Sequence, residues 1–400
     1  MLTKFLRLRS STSQTAPEDT SQGQGAEPGR PIYLISMASW PNYGDELITL
    51  RWLQHLAVTH PTTDIWLDVR EPGLASSLFA GLHPRLHITN TIFRALHEHL
   101  NGDPRTPADK VKDLGSPRYD LGLLDLRSAG SIHLLGGGYI NHFWADHLHI
   151  VQAMRAARDI SGAKLYATGQ GLMPFAGEHF ADFDHVSVRD TPSAHALNQE
   201  VGLDDAYLLP PAHHLSQPLP QLIPQETDLY ICLQSDTLDP GAHQHLINLT
   251  RQQILALGIP RHRTYYLEAI PGDDRPGYQA LADLIADDGF IPFAHFWRAG
   301  FTFAPHQVWI TSRFHHHVMA SAHGARGIAL SGKKGYYDVK HSSISDLGSK
   351  WPILTANTAA DQTPYQLKDL PAPADFTPIV TAKQAEAHML YPSVRPANIA

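Results

Sequence analysis

Residues 306–332, HQVWITSRFHHHVMASAHGARGIALSG, decide the fold of this chain. The short apolar run at residues 308–310 predicts a buried strand, and Ser312 is placed to cap a helix that follows it. Gly324 is a typical helix stop, and the apolar run at residues 328–330 predicts a second strand. Strand, turn, helix and strand make a βαβ-like unit, which carries ligand sites where its first strand ends and its helix begins.

Arg313 and His315 lie at that junction between strand and helix. A guanidinium beside free backbone N–H groups at the positive end of a helix binds anions. An imidazole two residues later can exchange a proton with the bound group. The pattern therefore predicts a phosphate or carboxylate site. The alternative is an arginine that caps a neighbouring carbonyl group and a histidine packed between domains.

The composition limits the classes of protein to which the chain can belong. Its 400 residues exceed what one hydrophobic core usually fills, so we expect two domains. The net charge of −8 and the lack of a basic run beyond residues 1–9 argue against a nucleic-acid partner. The single cysteine, Cys232, excludes an internal disulfide framework and suits a cytoplasmic location.

Neither a membrane span nor a metal site is predicted. No stretch of about 18 apolar residues occurs, so we expect a soluble protein. The basic segment at residues 1–9 could hold it at the inner face of a membrane, although a disordered tail is the simpler interpretation. The 26 histidines do not predict a metal centre, because His315, His316 and His317 point about 100° apart on a helix. We expect no cofactor.

The order of polar and apolar segments predicts the domain organisation. Residues 1–30 are rich in Ser, Thr, Gln, Gly and Pro, which predicts a disordered leader. Apolar runs alternate with amphipathic segments at residues 31–210 and again at residues 225–350, on either side of a Pro-dense linker at residues 211–224. We therefore expect two Rossmann-like, doubly wound α/β domains with a cleft between them, followed by an extension at residues 351–400.

The loop after the first predicted strand, ASWPNYGDE, carries candidate binding residues. Asn42, Gly44, Asp45 and Glu46 bring a tight turn and two carboxylates to the start of a helix. Loops at this end of an open α/β sheet bind ligands. Plain helix capping with acids in the first turn explains the same residues equally well.

A second loop of the first domain is rich in glycine. The predicted strand SIHLL runs into Gly136, Gly137 and Gly138, which allow a ligand to approach the backbone closely. The segment fails as a dinucleotide fingerprint, because Asn141 stands where the third glycine would be needed.

Together, these motifs resemble the polysaccharide pyruvyl transferase family over about residues 31–348. The resemblance rests on the order of several motifs: N-x-G-D-E at 42–46, L-G-G-G at 135–138, G-Q-G at 169–171, V-S-V-R-D at 186–190 and T-S-R-F-H at 311–315. The resemblance implies a GT-B-like enzyme that transfers the enolpyruvyl group of phosphoenolpyruvate to two hydroxyls of a sugar, forming a pyruvate ketal. The sugar would belong to a cell-surface polysaccharide or its lipid-linked precursor.

The resemblance also implies which residues hold the donor. Arg189, Arg313, Phe314 and His315 match the family's donor site, with Phe314 contributing its backbone. A later lysine of the second domain faces the donor in the family, and Lys333, Lys334 and Lys340 leave its equivalent open. The expected donor-binding set also includes these residues: Lys334, Lys340, Gly137 and Gly138.

The first domain is expected to hold the acceptor. We assign Asn42, Gly44, Asp45 and Asn141 to acceptor binding. Asp45 and Glu46 would hydrogen-bond or deprotonate the sugar from across the cleft.

The chemistry fits these residue types. Phosphoenolpyruvate carries a carboxylate and a phosphate, so two or three cations and a helix amino end would clamp it. Adding a hydroxyl to its C2 requires protonation at C3, and ketal closure requires phosphate to leave. One acid/base group near neutrality could serve both steps, and His315, rather than His316 or His317, is predicted to be that group. No metal is required.

Two other functions remain open. A sugar-nucleotide glycosyltransferase of the same fold would also place a diphosphate beside Arg313 and the helix end. An inert carbohydrate- or anion-binding protein of this architecture would need the same residues without turnover.

Overall fold

Two parallel β-sheets of six strands each organise the part of the chain that the computed structural model describes, residues 29–113, 120–175, 179–210 and 219–393. Residues 1–28 of the predicted leader and residues 211–218 of the predicted linker lie outside the described residues.

The first sheet has the strand order of a Rossmann fold. Its strands are β1 (Ile32–Ile35), β2 (Ile65–Asp68), β3 (Leu86–Thr89), β4 (Ser131–Leu134), β5 (Lys164–Gln170) and β6 (His185–Val188). They lie in the order β3-β2-β1-β4-β5-β6. The chain adds strands outward from β1 to β3 on one side and then from β4 to β6 on the other, so the switch point lies between β1 and β4. The helices are α1 (Tyr43–Thr59), α2 (Pro72–Leu78), α3 (Thr91–Leu100), α4 (Pro107–Asp113), α5 (Asp120–Ser128), α6 (Leu148–Ser161) and α7 (Thr191–Leu197).

The second sheet repeats this pattern. Its strands are β7 (Asp228–Cys232), β8 (Thr264–Leu267), β9 (Phe290–Ile291), β10 (Gln307–Thr311), β11 (Arg326–Ser331) and β12 (Ile353–Thr355). The order β12-β11-β10-β7-β8-β9 reverses between β7 and β10. The helices are α8 (Ala242–Leu257), α9 (Arg275–Leu281), α10 (Phe293–Ala299), α11 (Phe314–Ala322), α12 (Tyr337–Asp346) and α13 (Thr377–Leu390).

This architecture confirms the predicted fold class, two Rossmann-like α/β domains in a GT-B-like arrangement. The predicted strand–helix–strand unit is present as β10, α11 and β11. All four residues of β1 and all five of β10 are buried, as expected for parallel strands covered by helices on both faces. Among the described residues, no helix has both the length and the apolarity to cross a membrane.

The prediction that Ser312 caps α11 is wrong. The capping position is Arg313, whose side chain makes no capping hydrogen bond, and the helix begins at Phe314. The hydroxyl of Ser312 instead accepts a hydrogen bond from the backbone N–H of Gln234, in the loop after β7, at 2.9 Å. Ser312 therefore joins two neighbouring strand ends and leaves the amino end of the helix open.

The two domains meet through α1 and α11. Tyr43, the first residue of α1, packs against Phe296 and His316 of the second domain, with ring centroids 5.3 and 5.2 Å apart. Its backbone N–H donates to the carbonyl oxygen of Ala269 at 3.0 Å. One apolar cluster runs from the first sheet through this contact to the second. The amino ends of both helices are therefore fixed against each other.

The last helix, α13, returns to the first domain and brings a buried lysine with it. Lys383 is fully buried, and its Nζ lies 2.5 Å from Asp205 Oδ1 and 2.6 Å from Glu386 Oε2. Glu386 also pairs with His185 at 2.8 Å. Burial would lower the pKa of Lys383, but the two carboxylates raise it above its ordinary value. The ion pairs join the end of the chain to the segment before the predicted linker.

Replacing Lys383 with methionine should therefore destabilise the protein strongly. The substitution preserves side-chain length but leaves buried carboxylates without their cation, which typically costs about 3–5 kcal/mol. Urea unfolding followed by circular dichroism measures the loss. The exposed Lys368 supplies the control, because Lys368→Met should change the free energy of unfolding by less than about 0.5 kcal/mol. Equal stabilities for the two variants would contradict the assigned role.

Candidate active site

A cavity of about 320 Å³ lies where the reversal points of the two sheets face each other. Most of its wall comes from the segments after β1 and β4 in the first domain and after β7 and β10 in the second. Other lining residues follow β2, β6, β8 and β11. Open α/β sheets bind ligands at these points, because the loops there diverge and leave a crevice. The residues predicted to be functional from the two domains can therefore meet here.

Arg313, at the end of β10, lies on the cavity wall and is held by acids. Its Nε and Nη2 donate to Asp274 Oδ1 at 2.8 and 2.5 Å, and Nη2 lies 2.8 Å from Asp236 Oδ1. Asp274 is fully buried and also accepts hydrogen bonds from the backbone N–H groups of Ala269 and Ile270. Burial would lower the pKa of Arg313, but the carboxylates raise it above its ordinary value. The guanidinium is thus fixed and charged.

Arg189, which follows β6 in the first domain, supplies the second cation of the cavity. Its Nη1 donates to Asp204 Oδ2 at 2.6 Å, and its guanidinium carbon lies 4.7 Å from the ring centre of Phe314. Its Nε is buried and has no hydrogen-bond partner among the described residues. Burial would lower the pKa of Arg189, but Asp204 raises it. A charged group with an unused donor therefore borders the cavity.

His315 stands between the two domains. Its Nε2 lies 3.4 Å from Asp204 Oδ1, and its side chain is 12% exposed. The ring packs against Gly44, where any side chain would collide with it. Burial would raise the pKa of Asp204, but His315 and Arg189 hold it well below its ordinary value. The ionised carboxylate of Asp204 therefore faces the imidazole of His315.

The two neighbouring histidines are placed differently. His316 is fully buried, and burial lowers its pKa to about 3. Burial also holds the pKa of His317 well below its ordinary value. His317 stacks on Trp351 with centroids 4.3 Å apart and is hydrogen-bonded to His341 at 3.0 Å. The lowered pKa values keep both rings neutral at neutral pH. His317 packs inside the second domain, whereas His316 also borders the cavity.

Of the three candidate lysines, Lys340 lines the cavity. It lies on α12, with Nζ 3.8 Å from the ring centre of Tyr336. A Cβ on Gly138 would lie 3.3 Å from this Nζ and 3.0 Å from Arg189 Nη2, so the bare backbone leaves room for both cations. Burial and the Arg189 cation lower the pKa of Lys340 to about 7, while Asp45 acts in the opposite direction. Lys340 therefore titrates near neutrality.

Asp45 faces these cations from the first domain. It lines the cavity together with Asn42 and Gly44, and Asn42 Nδ2 donates to Asp45 Oδ2 at 2.7 Å. Burial raises the pKa of Asp45, and His315 leads the cationic groups that oppose this shift. The structure thus brings together nine of the predicted residues on one cavity wall or the other: Asn42, Gly44, Asp45, Gly138, Arg189, Arg313, Phe314, His315 and Lys340.

Four predicted residues do not line the cavity: Glu46, Gly137, Asn141 and Lys334. Glu46 is fully buried, and burial raises its pKa to about 8. Its two carboxylate oxygens share the backbone N–H of Ser39, at 2.8 and 3.0 Å. Asn141 is also buried, and its side chain bonds to the backbone of Gly138 and Phe143. Lys334 is exposed. Glu46 and Asn141 therefore shape loops and do not contact the cavity.

Sequence reasoning missed several residues of the site. Asp204 pairs with both Arg189 and His315, and its only sequence signal is a pair of acids, Asp204 and Asp205, inside an apolar segment. Asp236 was not singled out because it lies in a polar loop after β7. Six Trp and Tyr residues on the cavity wall were also missed: Trp40, Tyr43, Tyr139, Trp144, Tyr336 and Tyr337.

Comparison with known proteins supplies a family. The family model described as polysaccharide pyruvyl transferase matches residues 42–334. No curated protein shows a significant match. Among solved structures, the chain is similar to MurG of Acinetobacter baumannii, with 11% identity, coverage of 82% of this chain and 87% of that chain, and a TM-score of 0.43. It is also similar to a putative UDP-N-acetylglucosamine 2-epimerase from Listeria monocytogenes, with 10% identity, 79% and 86% coverage and a TM-score of 0.44.

The electrostatics of the cavity predict an unusual lysine titration. Lys340 should lose its proton near pH 7, because burial and Arg189 disfavour its charge. In Asp45→Asn the opposing negative charge is removed, so the pKa of Lys340 should fall further. The pH dependence of the Lys340 Cε chemical shift measures both values by NMR, with the exposed Lys368 as an internal reference. Titration of Lys340 together with Lys368 would contradict the described environment.

Proposed function

The chain belongs to the polysaccharide pyruvyl transferase family, and from that premise we propose that it moves the enolpyruvyl group of phosphoenolpyruvate onto two hydroxyls of a sugar. The product is a pyruvate ketal, and inorganic phosphate is released. The observation that carries this proposal is the convergence of Arg189, Arg313 and Lys340 on one cavity beside the amino end of α11. Phosphoenolpyruvate carries two anionic groups, and cations with a helix amino end match them.

The donor lies between the two domains in this proposal. Arg189 and Lys340 form one cationic pair, and Arg313 with the free N–H groups of α11 forms a second anion site. The unused Nε of Arg189 supports direct binding, since a buried donor without a partner is costly until a ligand accepts from it. Arg313 is already paired with Asp236, so the incoming anion competes with that acid.

His315 delivers the proton in the first step. The first sugar hydroxyl gives its proton to Asp45 as its oxygen bonds to C2 of the donor, and the C2–C3 double bond takes a proton from His315 at C3. The Asp204 carboxylate lies 3.4 Å from His315 Nε2 and can hold the imidazole in position for this step. The second sugar oxygen then bonds to C2, the bond from C2 to the phosphate oxygen breaks, and the proton of the second hydroxyl passes to His315, which regains the proton it gave to C3.

Asp45 is the base that we assign to the acceptor hydroxyl. It lies on the first-domain wall, and its raised pKa makes the carboxylate a better proton acceptor than an ordinary aspartate. Glu46 has no such role in this proposal, because its carboxylate is used by Ser39. The acceptor is a sugar of a cell-surface polysaccharide or a lipid-linked precursor, modified on the cytoplasmic side of the membrane.

The alternative is a glycosyltransferase that uses a sugar nucleotide, whose diphosphate would occupy the same cations. Incubation with phosphoenolpyruvate and glycans from the source cell should release phosphate only when acceptor is present, and mass spectrometry should find a pyruvyl ketal on the glycan. Turnover with sugar nucleotides instead would establish the alternative. No turnover with either donor would indicate a binding protein.

Both arginines should matter for donor affinity through their shape as well as their charge. Arg189→Lys and Arg313→Lys keep the charge but lose the planar fork, so affinity for phosphoenolpyruvate should fall roughly 10- to 100-fold. Titration calorimetry measures it. Arg298, exposed on α10, provides the control Arg298→Lys. Unchanged affinity in both site variants would remove the arginines from the donor site.

His315→Gln should separate binding from turnover. Glutamine retains hydrogen-bonding capacity but cannot transfer a proton, so kcat should fall roughly 10²- to 10⁴-fold with donor affinity changed only a few-fold. The exposed His295 supplies the control His295→Gln. Near-normal turnover in His315→Gln, together with its loss in a folded His317→Gln protein, would overturn the assignment.

A further inference from the structure

Two tryptophans on the first-domain side of the cavity are exposed. Trp40, in the loop after β1, is 55% exposed, and Trp144, in the loop after β4, is 37% exposed. Both line the cavity. Large apolar side chains in contact with water inside a cleft are typical of ligand-binding grooves, because the ligand supplies the missing contacts. Neither residue belongs to the donor site proposed above.

The loop that carries Trp40 is held in a strained conformation. Ser39 has a φ of 73°, which is uncommon for a residue other than glycine. Its backbone N–H is fixed by the Glu46 carboxylate, and its Oγ accepts from the backbone N–H of Glu71 at 2.9 Å. The guanidinium carbon of Arg70 lies 4.4 Å from the centre of the Trp40 ring. Several buried bonds therefore hold an exposed ring in place, which indicates a function for the strain.

Trp144 is presented in a comparable way. It lies in the 3₁₀ segment His142–His147 and interrupts the helical geometry with φ −126° and ψ 57°. Asn141 caps this segment by accepting from the Phe143 N–H at 2.9 Å. The ring of Tyr336, from the second domain, lies with its centroid 6.4 Å from that of Trp144. The two buried polar residues Glu46 and Asn141 thus each support a loop that exposes a tryptophan.

We propose that Trp40 and Trp144 form a stacking site for a pyranose ring of the acceptor saccharide. The C–H groups of a sugar carry partial positive charge and pack on the negative face of an aromatic ring. Asn42, Asp45 and Arg70 line the same cavity and can bond the sugar hydroxyls. This combination of apolar rings and hydrogen-bonding groups matches a saccharide. The inference rests on the proposed function, since it locates that reaction's acceptor.

Saturation-transfer NMR with the full chain tests the site directly. The probes are methyl β-D-glucopyranoside, methyl β-D-galactopyranoside and methyl α-D-mannopyranoside, with UDP as the competing ligand class. At least one glycoside should receive saturation on its ring protons, and Trp40→Ala or Trp144→Ala should weaken that binding roughly tenfold. Trp→Phe at either position should retain most of it, because the stacking face persists. The control is Leu255→Ala, which removes an exposed side chain from α8 outside the cavity.

The outcomes separate this inference from the proposed function. Absence of saturation transfer to all three glycosides, unchanged affinity in the double alanine variant, or no rescue by phenylalanine would each overturn the stacking site. Transfer to UDP alone, lost in the alanine variants, would overturn it in favour of a nucleotide site. Titration with phosphoenolpyruvate reports independently on the donor. Wild-type protein that binds a glycoside through both tryptophans but not phosphoenolpyruvate would disprove the proposed donor and retain the stacking site.

Discussion

Two adjacent buried carboxylates, Asp204 and Asp205, hold the rest of the structure in place. Asp205 Oδ2 accepts hydrogen bonds from Trp52 of α1 at 2.8 Å, from the Gly136 N–H at 2.8 Å and from Thr168 of β5 at 2.7 Å. Its other oxygen pairs with Lys383. One side chain thus joins α1, the glycine-rich loop, β5 and α13. Burying a carboxylate is costly unless it is compensated in this way.

Asp204, the preceding residue, connects this segment to the candidate active site. It pairs with Arg189 and lies beside His315, which comes from the other domain. Because the backbone carrying it is fixed by Asp205, the carboxylate can hold both groups at defined positions. Gly44 allows the two domains to approach this closely. The imidazole of His315 occupies the space that a side chain at position 44 would need. The geometry of the proposed acid/base group therefore depends on residues from both domains.

The charges of the cavity are balanced before any ligand enters. Arg313 is neutralised by Asp274 and Asp236, and Arg189 by Asp204, while Lys340 is kept near its titration point by burial. Close cations would otherwise repel each other in an environment of low dielectric constant. An anionic donor would supply part of the negative charge that these carboxylates now provide. Charged groups that are already in position can stabilise the charge that develops during a reaction, because the site does not have to rearrange first.

The sequence by itself determined the alternation of strands and helices, the βαβ unit around Arg313, and the order of motifs that identifies the family. These features are encoded locally, in hydrophobic period and in short runs of residues. Tertiary structure alone decided that Lys340 and not Lys334 lines the cavity, that Asp204 joins the site, and that Glu46 and Asn141 support loops. These outcomes depend on the direction of each side chain once the two sheets are packed. Residues far apart in sequence meet only then, and no local pattern records which of several acids or lysines will be buried beside a partner.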